Sequence, residues 1–128
     1  MKVVIIMGSE KDIPHSEKIT KKLDELGVAH ESHVASAHKT PLKALKILED
    51  FKGQKKTVFI TIAGRSNALS GFCAGNTTLP VIACPPFADK VDMMVNINST
   101  IQMPSNVPVM TVLDPENTAI ACYNILNC

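Results

Sequence analysis

The segment Lys2–Met7 reads Lys-Val-Val-Ile-Ile-Met and runs directly into Gly8. It is apolar without alternation. A strand with one wet face alternates apolar and polar residues, so an unbroken run ended by glycine predicts a strand covered on both faces, as in parallel sheets. Helical spacing follows at once. Asp12 precedes Ile13-Pro14, where Asp can cap a helix and Pro can occupy its first turn, and Ile19, Leu23 and Leu26 recur up to a stop at Gly27.

The same alternation continues along the chain. An extended segment is expected at Ala29–Ala35, a helix from Thr40-Pro41 to about Gly53, a strand at Thr57–Ala63, and a short helix within Asn67–Gly75. Leu79–Cys84 reads as a fourth strand stopped by Pro85-Pro86, and Ala88–Ile101 as a helix with Val91, Met94, Val95 and Ile101 on one side. Pro108–Leu113 reads as a fifth strand and Pro115–Leu126 as a last helix. Strands alternating with helices predict an α/β fold, a three-layer open parallel sheet of doubly wound, flavodoxin-like or Rossmann-like type. With 128 residues, a single domain spanning 1–128 is expected.

Composition narrows the function. A net charge of +1 is far from the positive excess of proteins that bind nucleic acid by bulk electrostatics. Aromatic residues are 4% of the chain, too few for a base-stacking platform. No apolar run is long enough to span a membrane, and the N-terminal run is too short for a signal h-region with a cleavage site. Cys73, Cys84, Cys122 and Cys128 fit no CxxC pattern, which predicts free thiols in a cytoplasmic protein. His15, His30, His33 and His38 lack metal-ligand spacing, so neither a metal nor a cofactor is expected.

In open α/β sheets chemistry collects at the C-terminal strand ends. After the first run, Gly8-Ser9-Glu10-Lys11-Asp12 offers a glycine turn, a hydroxyl and a helix N-terminus, which suit an anion, but equally a simple turn with a cap. After the second, Ser36-Ala37-His38-Lys39-Thr40 carries a histidine, the usual acid/base side chain near neutrality, beside a lysine. It can also be a solvated loop ahead of a helix. After the third, Gly64-Arg65-Ser66-Asn67 holds the only arginine among 13 basic residues. Its fork suits a carboxylate, a phosphate or a developing anion, or an ordinary salt bridge. Cys84-Pro85-Pro86 and Met103-Pro104-Ser105 are candidate cavity walls.

Taken in order, Met7-Gly8-Ser9-x-x-Asp12, Ser36-Ala37-His38-Lys39, Ala63-Gly64-Arg65-Ser66-Asn67, Asn76-Thr77-Thr78-Leu79-Pro80-Val81-Ile82 and Gln102-Met103-Pro104 carry a resemblance. From Val3 to about Ile125 the chain resembles the PurE family of purine biosynthesis, the phosphoribosylaminoimidazole (AIR) carboxylases and the N5-carboxy-AIR mutases. Lys39, in place of arginine, and the Ala63–Asn67 sequence make it similar to class II. That class carboxylates AIR with carbon dioxide to 4-carboxy-AIR; the alternatives are a class I mutase and a noncatalytic nucleotide-binding module. The family often has serine at Lys11, glycine at Asn106 and, in class II, arginine at Gln102. Relatives commonly continue past Cys128 into another helix.

The resemblance implies His38 as the catalytic base. It implies substrate contacts from Ser9, Asp12 and Lys39 to the ribose 5-phosphate, with Asp12 on ribose hydroxyls. Gly8, Ser36, Ala37 and Gly64 would form the surrounding cradle, and Arg65, Ser66 and Asn67 would lie near carbon dioxide or the new carboxylate. It further implies AIR and carbon dioxide as small-molecule partners, no nucleic acid or membrane partner, and a homo-oligomer, an octamer as in the family. Gly71–Gly75 and Ala119–Ile125 are the segments expected to touch neighbouring copies.

Overall fold

The computed structural model describes residues 1–128. Five parallel strands, β1 (Lys2–Met7), β2 (His30–Val34), β3 (Thr57–Ile62), β4 (Val81–Ala83) and β5 (Met110–Thr111), form one sheet in the order β2-β1-β3-β4-β5. The helices are α1 (Ile13–Glu25), α2 (Pro41–Asp50), α3 (Leu69–Ala74), α4 (Lys90–Asn96), α5 (Asn98–Ile101) and α6 (Pro115–Leu126), with a 3-10 turn at Glu10–Asp12. None of them is long and apolar enough to cross a membrane.

β1 lies between β2 and β3, and Val3, Val4, Ile5 and Ile6 are fully buried, as the unbroken apolar run requires. Successive residues point to opposite sides. Val3, Ile5 and Met7 pack with Ile19 and Leu23 of α1 and Ala119 and Cys122 of α6. Val4 and Ile6 pack with Ala44, Ile47 and Leu48 of α2 and Leu69 and Cys73 of α3. These are the three layers of a doubly wound fold. The order reverses between β1 and β3, so the crevice at their C-terminal ends is the position where this fold class binds ligands.

Several local expectations change. Asp12 stands at the α1 N-cap position without capping it; Ser9 instead accepts from the Lys11 amide and caps the 3-10 turn. β4 and β5 shrink to three and two residues, because Pro80, Pro85, Pro86 and Pro108 remove ladder donors. The helix expected over Ala88–Ile101 breaks at Ile97 into α4 and α5. Its apolar side faces outward, with Val91, Met94 and Val95 70%, 68% and 67% exposed. Asn106 has φ +69, the left-handed region that asparagine tolerates better than most residues.

Cys73, Cys84, Cys122 and Cys128 are all free thiols. The segments expected to touch other copies are partly used inside the chain. Ala119 and Cys122 belong to the core, and a Cβ on Gly71 would lie 2.9 Å from Met103 Sδ.

Candidate active site

The loops after β1, β2 and β3 meet at one cavity of about 490 Å³, on the C-terminal side of the sheet. The loop after β1 contributes Gly8, Ser9, Lys11 and Asp12; that after β2 contributes Ser36, Ala37, His38 and Lys39; that after β3 contributes Ala63, Gly64, Arg65, Ser66, Ala68 and Leu69. Pro86, from the loop after β4, closes one side. Every sequence-nominated site residue except Asn67 lines it. A separate hollow of about 400 Å³, between Leu48, Phe51 and Leu79, holds none of them.

The first loop is shaped by its own backbone. The Gly8 amide donates to Ile62 O at 2.9 Å, so it extends the ladder and is not free to meet an anion. Ser9 Oγ accepts from the Lys11 amide at 3.2 Å. Asp12 is half-buried, and burial pushes its carboxyl above the ordinary carboxylate value, an effect the Ser9 backbone only partly offsets. A carboxylate held this way gains by accepting ligand hydroxyls.

In the second loop Ser36 Oγ accepts from the amides of His38 (3.2 Å) and Lys39 (3.0 Å). Thr40 Oγ1 accepts from the Ser36 amide at 2.8 Å instead of capping α2. Ser36 and Thr40 thereby fix the turn that carries His38, whose side chain is exposed to the cavity and bonds to nothing within the chain.

In the third loop Arg65 is exposed and pairs with no carboxylate of this chain. That removes the salt-bridge reading of the lone arginine. Ser66 has φ +41, a strained conformation for a residue with a Cβ. Asn67 is 2% exposed and turned away from the cavity. Its Oδ1 accepts from the amides of Leu69 and Ser70, opening α3, and its Nδ2 donates to Thr100. Its side chain is committed to the fold and orders the loop, so Asn67 is not among the residues brought together at the cavity. Met103 packs on Gly71 and is not a cavity wall, whereas Pro86 is one.

Lys11 is the polar lining residue that sequence reasoning left out. Its signal was available: a cation one residue before Asp12 in a loop suited to an anion. With Lys39 and Arg65 it gives the cavity three cations against Asp12. Such a site suits an anionic ligand that also carries hydroxyls.

The family model described as AIR carboxylase matches residues 2–128. The chain belongs to the AIR carboxylase family. It is 50% identical over 125 residues to the phosphoribosylaminoimidazole carboxylase of Archaeoglobus fulgidus, covering 98% of this chain and 68% of that one. It is 42% identical to the bifunctional phosphoribosylaminoimidazole carboxylase/succinocarboxamide synthetase of Drosophila melanogaster, over 97% of this chain but 29% of that one. The crystal structure of Treponema denticola PurE superposes with a TM-score of 0.91 at 38% identity, covering 98% of this chain and 80% of that one. These likenesses make the chain an enzyme of the purine-biosynthesis carboxylase type, and they agree with the doubly wound sheet read from the sequence.

Proposed function

We propose that this chain carboxylates AIR at C4 with carbon dioxide, giving 4-carboxy-AIR, as a class II member of the family. The observation that carries the reading is the meeting of His38, Arg65 and the Ser9–Asp12 loop in one cavity. Lys39 and Ala63-Gly64-Arg65-Ser66-Asn67, and the likeness to the bifunctional animal proteins, support class II.

AIR is enamine-like at C4, and carbon dioxide is an electrophile that needs no activation. The protein's work is positioning, exclusion of water and one proton transfer. C4 attacks the carbon of carbon dioxide, forming the C–C bond while one C=O π pair moves to oxygen. The C4 proton then passes to the His38 imidazole, and the C4–H pair restores the aromatic ring. Ser9, Lys39 and the neighbouring Lys11 hold the 5-phosphate. Asp12 accepts ribose hydroxyls, since a carboxylate beside the phosphate would repel it. Arg65 and Ser66 face the incoming carboxylate, and Asn67 keeps their loop in shape.

Gln102 favours one other reading, that of a class I mutase moving carboxylate from N5 to C4. The deciding assay offers AIR with bicarbonate in one arm and N5-carboxy-AIR in the other. Carboxylation in the first arm supports class II. Turnover in the second arm alone makes the chain a mutase, and AIR binding without turnover in either makes it a nucleotide-binding module.

We further propose a cytoplasmic homo-oligomer, an octamer as in the family; of this, the exposed apolar side of α4, with Val91, Met94 and Val95, supports association alone, because such surfaces mark interaction sites. Light scattering that gives a monomer at micromolar concentration would remove the assembly claim.

A further inference from the structure

Outside the cavity, one polar contact joins two elements that build it. His15, in the first turn of α1, places Nε2 3.1 Å from the Cys84 carbonyl oxygen and 3.5 Å from Cys84 Sγ. The pair is not a nucleophile with its base. Cys84 is fully buried, and burial pushes its thiol up to about 11. The thiol stays protonated and donates to the Leu113 carbonyl at 3.6 Å.

The contact with the carbonyl is different in kind. The Cys84 amide donates to Thr61 O, the last bond of that ladder, and no backbone N–H reaches the Cys84 carbonyl. Pro85 and Pro86 follow and have no N–H to offer a turn. Pro85 is buried, and Pro86 lines the cavity with its carbonyl oxygen 2.8 Å from where a Cβ on Gly64 would stand. The path is short: the His15 imidazole, the Cys84 carbonyl, the two prolines, then Gly64, which carries Arg65. Burial holds the imidazole's pKa below its ordinary value, against the opposing pull of the Cys84 carbonyl and with Lys18 adding to it. Neutral His15 with its proton on Nε2 is the donor this bond requires.

We infer that His15 is a positioning residue for the carboxylation reaction, its Nε2–H fixing the Cys84-Pro85-Pro86 wall against Gly64 so that Arg65 and Ser66 are held where carbon dioxide enters. The inference rests on the class II reading for its kinetic consequence, but its structural content does not. His15 touches no reacting atom. It acts on the carbon dioxide side of the cavity and leaves the loops that hold the nucleotide to their own hydrogen bonds.

The test compares His15→Gln with His15→Asn. Both are polar and tolerated in a helix's first turn, but only glutamine carries an N–H donor out to the reach of Nε2. Three measurements are made on the full chain: bicarbonate dependence at saturating AIR, AIR binding by titration calorimetry, and hydrogen exchange of the Cys84 amide, which anchors the wall through its 2.9 Å bond to Thr61 O. For His15→Asn, kcat/KM for carbon dioxide falls roughly 10–100-fold, the scale set by sub-ångström to 1 Å misplacement. AIR affinity changes less than about twofold, and the Cys84 amide exchanges about tenfold faster. His15→Gln stays near wild type in all three. Equal behaviour of the two variants in exchange overturns the inference whether or not the chain carboxylates AIR. Faster exchange with unchanged carbon dioxide dependence also overturns it. Absence of wild-type turnover with bicarbonate instead overturns the class II reading, and the exchange comparison still decides whether His15 holds the wall.

Discussion

The side-chain amide of Asn67 donates to the hydroxyl of Thr100 at 3.0 Å, both residues being almost wholly out of water. This bond ties the loop after β3 to α5, and the Asn67 amide doubles the tie by donating to Ser99 Oγ at 2.8 Å. Ser66, immediately before, is thereby kept at its positive φ. Thr100→Val leaves a buried Nδ2 donor unpaired, for which about 1–3 kcal/mol of stability is expected to be lost. Asn67→Ala loses the same bond and the opening of α3 as well. A double-mutant cycle by chemical denaturation should give a coupling of roughly 0.5–3 kcal/mol between the two sites; strict additivity would mean that the bond contributes nothing.

His38→Asn is expected to lower AIR carboxylation by about 10²–10⁴-fold, the usual span of a general acid–base group. Its side chain supports no other part of the fold, so the melting temperature and AIR affinity should stay close to wild type. Near-normal turnover in the variant would remove His38 as the base.

Arg65 has no carboxylate partner in the chain, so Arg65→Lys should leave stability unchanged. Its planar fork is what lysine cannot reproduce. Loss of a charge-assisted contact in the transition state is expected to cost about 2–4 kcal/mol in kcat/KM, by analogy with removed oxyanion donors. Steady-state kinetics with AIR and bicarbonate varied separately, beside a binding titration of AIR, read this out. If AIR binding collapses while the chemical step is untouched, Arg65 belongs with the phosphate-holding group.

Burial raises the Asp12 carboxyl in the folded chain. A carboxyl that holds its proton more tightly folded than unfolded stabilises the fold while protonated, and that stability is lost as pH rises through the folded value. At neutral pH the ionised Asp12 is therefore a net burden on the fold. Asp12→Asn should melt higher than wild type at pH 7, with the difference closing below roughly pH 4. The same change should weaken AIR binding about tenfold or more, since hydrogen bonds to a charged acceptor are worth about 1.5–3 kcal/mol. Thermal melts at the two pH values check the first claim; a lower melting temperature at pH 7 would contradict it.

Gly64→Ala is expected to destabilise the chain by about 1–3 kcal/mol, the usual cost of overpacking. The new Cβ would stand 2.8 Å from the Pro86 carbonyl oxygen, a backbone atom that cannot rotate away. Gly8→Ala is the control, since its Cβ would meet Ala63 Cβ at an ordinary 3.5 Å. Denaturation midpoints of the two variants should differ clearly, with Gly8→Ala close to wild type.

What the sequence disclosed follows from these residues. Lys2–Met7 and Thr57–Ile62 were legible because a strand buried on both faces shows no alternation of apolar with polar residues, the β-branched Thr57 and Thr61 being the polar side chains that β3 buries. The site loops were legible because parallel topology puts them at one end of the sheet, and motif resemblance named the same residues. Val91, Met94 and Val95 share one side of α4 as expected, whereas Ile101, expected with them, falls on α5; periodicity marks an apolar side without saying where a helix breaks or which body that side meets. Asp12 and Thr40 fit the composition of caps, yet Ser9 Oγ takes the Lys11 amide ahead of Asp12 and Thr40 Oγ1 turns back to accept from the Ser36 amide, choices among neighbouring partners that residue type does not settle. Asn67 read as a ligand because a polar residue in a site loop looks the same whether it faces the cavity or the core.

β5 pairs with β4 through Met110 and Thr111 alone and lies at the far edge of the sheet from β2. Edges of so few bonds open at small cost, independently of the interior strands. The three loops of the cavity hang instead on β2, β1 and β3, and the innermost of these is wholly enclosed. Fraying is thus assigned to the β5 margin and chemistry to the crevice between β1 and β3, so the molecule can breathe along one side while the crevice keeps its shape.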